Sequence, residues 1–121
     1  MPVASPSALL HEYGCTTPEQ LAMAMGFLVQ RRHAPPPLNG VTVLSAYEPE
    51  QTIVLFEESL QEQARMQGGS LTDLEQWHIA HEFYHGLSEA EGLSPWHLCE
   101  ADADRWADEL MQCCSRSTPY E

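Results

Sequence analysis

The stretch His81-Glu82-Phe83-Tyr84-His85 decides how the rest of this sequence is interpreted. Residues four apart lie on one face of a helix, so His81 and His85 can reach a single metal ion. Glu82 lies about 100° round the helix from His81, at the edge of that face. There its carboxylate can take a proton from a metal-bound water without binding the metal itself. The pattern His-Glu-x-x-His is therefore typical of zinc hydrolases.

The residues around the motif predict the helix that carries it. Ser70 is the predicted N-cap, and Asp73 resembles the carboxylate of a capping box. Side chains at three- and four-residue spacing then form one stripe. The stripe comprises Leu74, Trp77, His78, His81, Tyr84, His85 and Ser88. Gly86 and Gly92 predict that this helix ends near Leu87.

A second helix is predicted to begin at Ser94-Pro95 and to run to about Cys113. It contains Glu100 and Asp104, which are four residues apart and therefore share a face. A zinc hydrolase needs a third protein ligand and leaves the fourth position to water. Glu100 follows His85 by 15 residues, which is enough chain for a turn and an antiparallel return. Asp104 can then accept a hydrogen bond from the free ring nitrogen of a ligand histidine.

These two linked motifs resemble those of the ImmA/IrrE group of gluzincin metallopeptidases. In that group His-Glu-x-x-His is followed by Glu-x-x-Ala-(Asn/Asp)-x-(aromatic)-Ala. Residues 100–107 of this chain read Glu-Ala-Asp-Ala-Asp-Arg-Trp-Ala. The resemblance is strongest over residues 17–111. It implies a minimal zincin-like fold in which a short helix and a small sheet precede the metal helix.

The resemblance also implies a zinc metalloendopeptidase, with zinc held by His81, His85 and Glu100 and with Glu82 as general base. Sites of two histidines and a carboxylate also accept Mn²⁺ or Fe²⁺. The implied substrate is a partner protein, such as a helix-turn-helix repressor of a mobile element, phage or stress response. One alternative is a non-proteolytic module of the same fold that sequesters a regulator or toxin partner. Another is a metal-stabilised structural component of a phage or mobile-element complex.

Two further histidines compete for a role at the same site. His78 lies three residues before His81, and His97 lies three before Glu100, each on the same helix face. Either could be a ligand, a hydrogen-bond donor behind the ligands or a stabiliser of a developing oxyanion. A single histidine on a helix face is more often a packed or solvated side chain, so both interpretations stay open.

The remaining conspicuous side chains are predicted to be structural. Large aromatic residues dominate burial in a small domain, so the three tryptophans are predicted to anchor the core. These are Trp77, Trp96 and Trp106. Asp102 and Asp108 are predicted to lie on solvated helix faces.

Composition limits the class of protein. With 121 residues, the chain is predicted to form a single domain over residues 1–121. Five arginines, no lysine and 18 carboxylates give a formal charge of −13. Such a surface repels phosphate backbones, so no direct nucleic-acid binding is expected, and a basic partner is favoured. We expect no membrane segment, no signal peptide and a cytoplasmic location. The four cysteines, at 15, 99, 113 and 114, predict no disulfide framework.

The upstream half predicts an α+β fold, with a small antiparallel-containing sheet packed on the helical layer that carries the metal site. Helices are predicted to start at Ser5-Pro6 and Thr17-Pro18, and a third covers 57–67. Residues 27–29 are expected to begin a strand, and residues 33–37 to form a stiff loop. Segments 41–45 and 51–56 predict a hairpin with its turn at 47–50. An edge of this hairpin could pair with an extended substrate.

Overall fold

The computed structural model describes residues 3–36, 40, 42–90, 92 and 100–116. In chain order the elements are α1 (Pro6–Tyr13), α2 (Pro18–Ala24), β1 (Leu28–Arg32), β2 (Ser45–Glu48), β3 (Thr52–Phe56), α3 (Glu57–Gln67), α4 (Leu71–Ala90) and α5 (Glu100–Arg116). This layout confirms the predicted α+β class. Within the described ranges, no helix combines the length and the apolar character needed to cross a membrane.

Side-chain caps explain why α1, α2 and α4 begin where the sequence predicts. Ser5 caps α1, and Thr17 Oγ1 accepts a hydrogen bond from the backbone N–H of Gln20 at 3.1 Å at the start of α2. Ser70 Oγ accepts the backbone N–H of Asp73 at 3.2 Å, so α4 starts one residue later. Each cap satisfies an N–H group that has no partner inside its helix.

Three strands form a mixed sheet in the order β1-β3-β2. The central strand β3 pairs in parallel with β1 and antiparallel with β2. Ile53, Val54 and Leu55 of β3 are fully buried, as expected for an apolar central strand covered on its faces. Helix α4 packs on this sheet and also contacts α2, α3 and α5, so it lies at the centre of the helical layer.

The hairpin forms, but its first strand lies later in the chain than predicted. Strand β2 begins at Ser45, which pairs with Leu55, so Tyr47 belongs to the strand and not to the turn. The turn is instead built on Glu50 and Gln51, whose φ angles of 65° and 55° are left-handed. Hairpin turns use this conformation but usually supply it with glycine or asparagine. Pro49 and Glu50 belong to both the predicted and the observed turn, but neither Glu50 nor Gln51 is of the residue type that indicates this conformation.

Gly86 does not end α4, which continues to Ala90, and this prediction was wrong. The glycine is buried, and its missing side chain allows the helix to approach its neighbours closely. A Cβ atom added at this position would overlap the ring of Phe27 and would lie 2.8 Å from Cε1 of Tyr47. Phe27 in turn packs edge-on against Phe83, with ring centroids 4.9 Å apart. Gly86 is thus a close-packing position between α4 and the sheet.

We expect Gly86→Ala to lower the free energy of unfolding by about 1–2 kcal/mol net, because the added methyl group forces two aromatic rings to move and such overpacking costs up to about 3 kcal/mol. The higher helix propensity of alanine, worth about 1 kcal/mol, offsets only part of this loss. Urea unfolding of both proteins measures the difference. Gly69→Ala is the matched control, since a Cβ there meets no atom within 4 Å. A G86A midpoint equal to that of the wild type would contradict the close packing.

The tryptophans differ in how far they fulfil the predicted structural role. Trp106 is buried in the core, and its indole N–H donates to the carbonyl of Ala4 at 3.0 Å, which ties the N-terminal segment to α5. Trp77 is only half-buried, and its contacts lie at the candidate site described below. Trp96 lies outside the described residues.

Candidate metal centre

Two antiparallel helices meet along matched rows of side chains. On α4 the row is Trp77, His81 and His85; on α5 it is Glu100, Asp104 and Asp108. Both rows have four-residue spacing, so each follows one helix face. Their contacts run in opposite chain directions, from His85 with Glu100 at one end to Trp77 with Asp108 at the other.

The three predicted ligands come together at one end of these rows. His81 Nε2 lies 2.9 Å from Oε2 of Glu100, and His85 Nε2 lies 3.0 Å from Oε1 of the same carboxylate. One ligand atom from each residue lies within 4.8 Å of the other two. Within the part of the chain that the structure describes, this is the one His, Cys, Asp or Glu group with such spacing.

The donor set and its spacing fit a zinc ion. Bonds of about 2.0–2.2 Å in a tetrahedral site place two ligand atoms about 3.3–3.5 Å apart. The two histidine nitrogens lie 2.9 and 3.0 Å from different oxygens of Glu100, and one ligand atom from each residue lies within 4.8 Å of the other two, so modest side-chain shifts would bring them to this spacing. The side chain of Glu100 is 71% exposed and free to make that movement.

The ring of His81 is held on two sides. It is nearly buried and stacks on the indole of Trp77, with ring centroids 5.4 Å apart and planes inclined by 26°. The Trp77 N–H donates to Oδ1 of Asp108 at 2.8 Å, which fixes the indole. His81 Nδ1 lies 3.0 Å from Oδ1 of Asp104, but this contact is an ion-pair approach without hydrogen-bond direction. Trp77 and Asp108 are therefore parts of the site, not only the core anchor and solvated residue predicted.

Glu82 lies beside the ligands with its carboxylate buried. Its side chain accepts a hydrogen bond at Oε2 from the Ser45 hydroxyl, at 2.7 Å. Burial raises the pKa of the Glu82 carboxyl above its ordinary value, while the Ser45 hydrogen bond and the nearby His81 and His85 oppose that rise. A buried carboxyl with a raised pKa is a stronger base than an exposed one, as a proton acceptor in a hydrolase requires.

His78 is close to the centre but is not one of the converging ligands. Its Nδ1 lies 3.0 Å from the Ser45 hydroxyl oxygen. Burial, together with the nearby charge of His81, lowers the pKa of His78 to about 4. The imidazole is therefore neutral at pH 7. His97, the other competing histidine, lies outside the described residues.

Two cavities open on either side of the centre. One, of about 390 Å³, is lined by residues 42–44, Trp77, His78 and Asp104. The other, of about 460 Å³, is lined by Ala46, Tyr47, His85 and Glu89. Four residues line both cavities: Ser45, His81, Glu82 and Glu100. The two cavities therefore adjoin at the candidate centre, and because residues 42–47 line them, we call them together the groove along β2.

Three residues of this site, Trp77, Asp108 and Ser45, were missed by sequence reasoning. Trp77 could have been recognised, because it lies four residues before His81 and thus one turn away on the same face. Ser45 could not, because it is separated from Glu82 by 37 residues and its contact depends on how β2 lies against α4.

No family model, curated protein or solved structure matches the chain.

Proposed function

We propose that the chain is a zinc metalloendopeptidase of the ImmA/IrrE type. The proposal is carried by the convergence of His81, His85 and Glu100 from two helices, with the buried carboxylate of Glu82 beside them. Structural zinc sites are usually closed by four Cys or His ligands. Three ligands, a carboxylate with a raised pKa and a groove on both sides favour a catalytic site.

Zinc held by these residues would supply Lewis acidity and a water of lowered pKa. The protein's part is to move the proton. Glu82 accepts it from the attacking water and returns it to the leaving amine. Since Oε2 of Glu82 accepts the Ser45 hydroxyl, Oε1 is the oxygen left to exchange that proton. Trp77 and Asp104 keep the ring of His81 in place.

The groove along β2 suggests how a substrate binds. Strand β2 lies at one edge of the described sheet, so an extended peptide could add to it and pass over the centre. The net charge of −13 favours a basic segment. We infer that the substrate is an exposed segment of a partner protein. A helix-turn-helix repressor in the cytoplasm is the kind of partner that the resemblance implies.

Removal of the metal is expected to abolish peptide cleavage, and added zinc is expected to restore it. The probes are a library of internally quenched peptides that includes basic sequences, and unfolded casein. Protein treated with dipicolinate and desalted is assayed before and after one equivalent of Zn²⁺, with metal content measured alongside. The catalytic step depends on Lewis acidity, so activity should follow zinc content.

Cleavage that persists in metal-free protein would contradict this proposal. Zinc bound at about one ion per chain with no cleavage of either probe would favour the non-proteolytic binding module. Casein cleavage at many sites would indicate a general peptidase. In that case the restriction to one partner protein would be wrong.

A further inference from the structure

Ser45 contacts two side chains of α4 that lie one turn apart. Its hydroxyl oxygen lies 2.7 Å from Oε2 of Glu82 and 3.0 Å from Nδ1 of His78. His78, Glu82 and Gly86 form a second row on α4, next to the row of ligands. Alternate residues of a strand share a face, so Ser45 and Tyr47 both meet this row. Tyr47 does so at Gly86, where the absent side chain allows the strand and the helix to come close.

The hydrogen atoms of this arrangement can be assigned by counting donors. A serine hydroxyl has one hydrogen, and an ionised carboxylate can only accept. The Ser45 hydroxyl therefore donates to Glu82, and its contact with His78 requires that Nδ1 of His78 carries a hydrogen and donates to Ser45. A neutral imidazole has a single N–H, so Nε2 of His78 carries none. With Glu82 ionised, the contacts of Ser45 thus select the tautomer of His78 that is protonated at Nδ1.

We propose that Ser45, itself oriented by His78, is a positioning residue that holds the Glu82 carboxylate for proton transfer. With Oε2 anchored on the Ser45 hydroxyl, Oε1 is the oxygen left for proton exchange. Without this anchor, a carboxylate with three rotatable bonds would sample other orientations inside its pocket. The inference rests on the proposed peptidase function, but the arrangement of hydrogens does not.

The kinetic test compares Ser45→Ala with Ser45→Thr on zinc-loaded protein, using whichever quenched peptide the wild type cleaves. Loss of an orienting contact behind a catalytic group usually costs about 10- to 100-fold. We expect S45A to lower kcat by about that factor with KM nearly unchanged and zinc content intact. S45T keeps a hydroxyl and should recover most of kcat. Ser7→Ala, at an exposed position on α1, is the control.

An unaltered kcat in S45A would overturn the positioning role. Equal impairment of S45A and S45T would also overturn it, because packing and not the hydroxyl would then be responsible. A loss confined to KM would place Ser45 in substrate binding instead.

A second readout does not depend on activity. Long-range ¹H–¹⁵N NMR spectra distinguish protonated from unprotonated ring nitrogens, and His78→Gln identifies the resonances of His78. We expect Nδ1 of His78 to be the protonated nitrogen in the wild type at pH 7, and this preference to weaken in S45A.

The two readouts separate the two possible failures. A His78 protonated at Nε2 would overturn the Ser45 arrangement whatever the enzyme does. If the spectrum shows His78 protonated at Nδ1 but the zinc-loaded wild type cleaves no peptide, the contact between Ser45 and His78 is supported. The peptidase function, and with it the catalytic role of this contact, would then be wrong.

Discussion

Replacement of Glu82 by glutamine is expected to lower kcat for peptide cleavage by about 10²- to 10⁴-fold, the usual contribution of a general base. Glutamine has nearly the same shape, and its amide oxygen can still accept the hydrogen bond from Ser45. It cannot take a proton at neutral pH. Because Glu82 does not belong to the converging ligand group, the zinc content of E82Q should equal that of the wild type.

The control for this prediction is Glu12→Gln, which removes the same charge from an exposed position of α1. It should cleave peptides at the wild-type rate. Steady-state kinetics of the three zinc-loaded proteins, with metal analysis of each, measures the effect. Undiminished kcat in E82Q would mean that another group is the base or that a contaminating peptidase is responsible. Loss of zinc in E82Q would instead show that this carboxylate binds the metal.

Local signals explain which elements of the fold could be predicted. Hydroxyl caps and proline at the first helical position determine where α1 and α2 begin, and both are readable within four residues. The apolar stripe of α3 gave the predicted span Glu57–Gln67. The failures came from long-range contacts. Gly86 resembles a helix end until Phe27 is placed against it, and the exact bounds of the turn at Glu50 and Gln51 are fixed only once β2 has paired with β3.

The same division applies to the candidate site. The pairing of His81 with His85 is a property of one helix and is fixed by spacing. The approach of Glu100 requires a second helix, and the linked motif predicted it because the spacing allows an antiparallel return. Ser45 carries no such signal, since β2 reaches Glu82 only through tertiary packing.

Helix α4 thus has two adjacent rows with different tasks. The row that includes His81 and His85 faces α5 and carries the candidate metal ligands. The row that includes His78 and Glu82 faces β2 and carries the proposed proton acceptor with its support. A shift of α4 along its axis would disturb both rows together. The close packing at Gly86 is therefore expected to matter for activity as well as for stability.

Removal of the Glu100 carboxylate is expected to weaken zinc binding by more than about 100-fold, because loss of a contact behind the ligands alone costs about 10- to 100-fold. Glu100→Ala leaves two imidazoles, His81 and His85, to hold the ion. Glu109→Ala removes the same type of side chain from an exposed position on the same helix and should bind zinc as the wild type does. Competition with a chromophoric chelator measures each affinity.

Asp104 provides a graded comparison with Glu100. It approaches His81 Nδ1 at 3.0 Å without hydrogen-bond direction, so Asp104→Ala should cost about tenfold, at the low end for a supporting contact. The expected order of zinc affinity is wild type equal to E109A, then D104A, then E100A. If D104A lost more affinity than E100A, Asp104 would be the third ligand and Glu100 a supporting residue. Unchanged affinity in both variants would remove α5 from the metal site. The His-Glu-x-x-His pair would then need a third ligand from elsewhere in the chain.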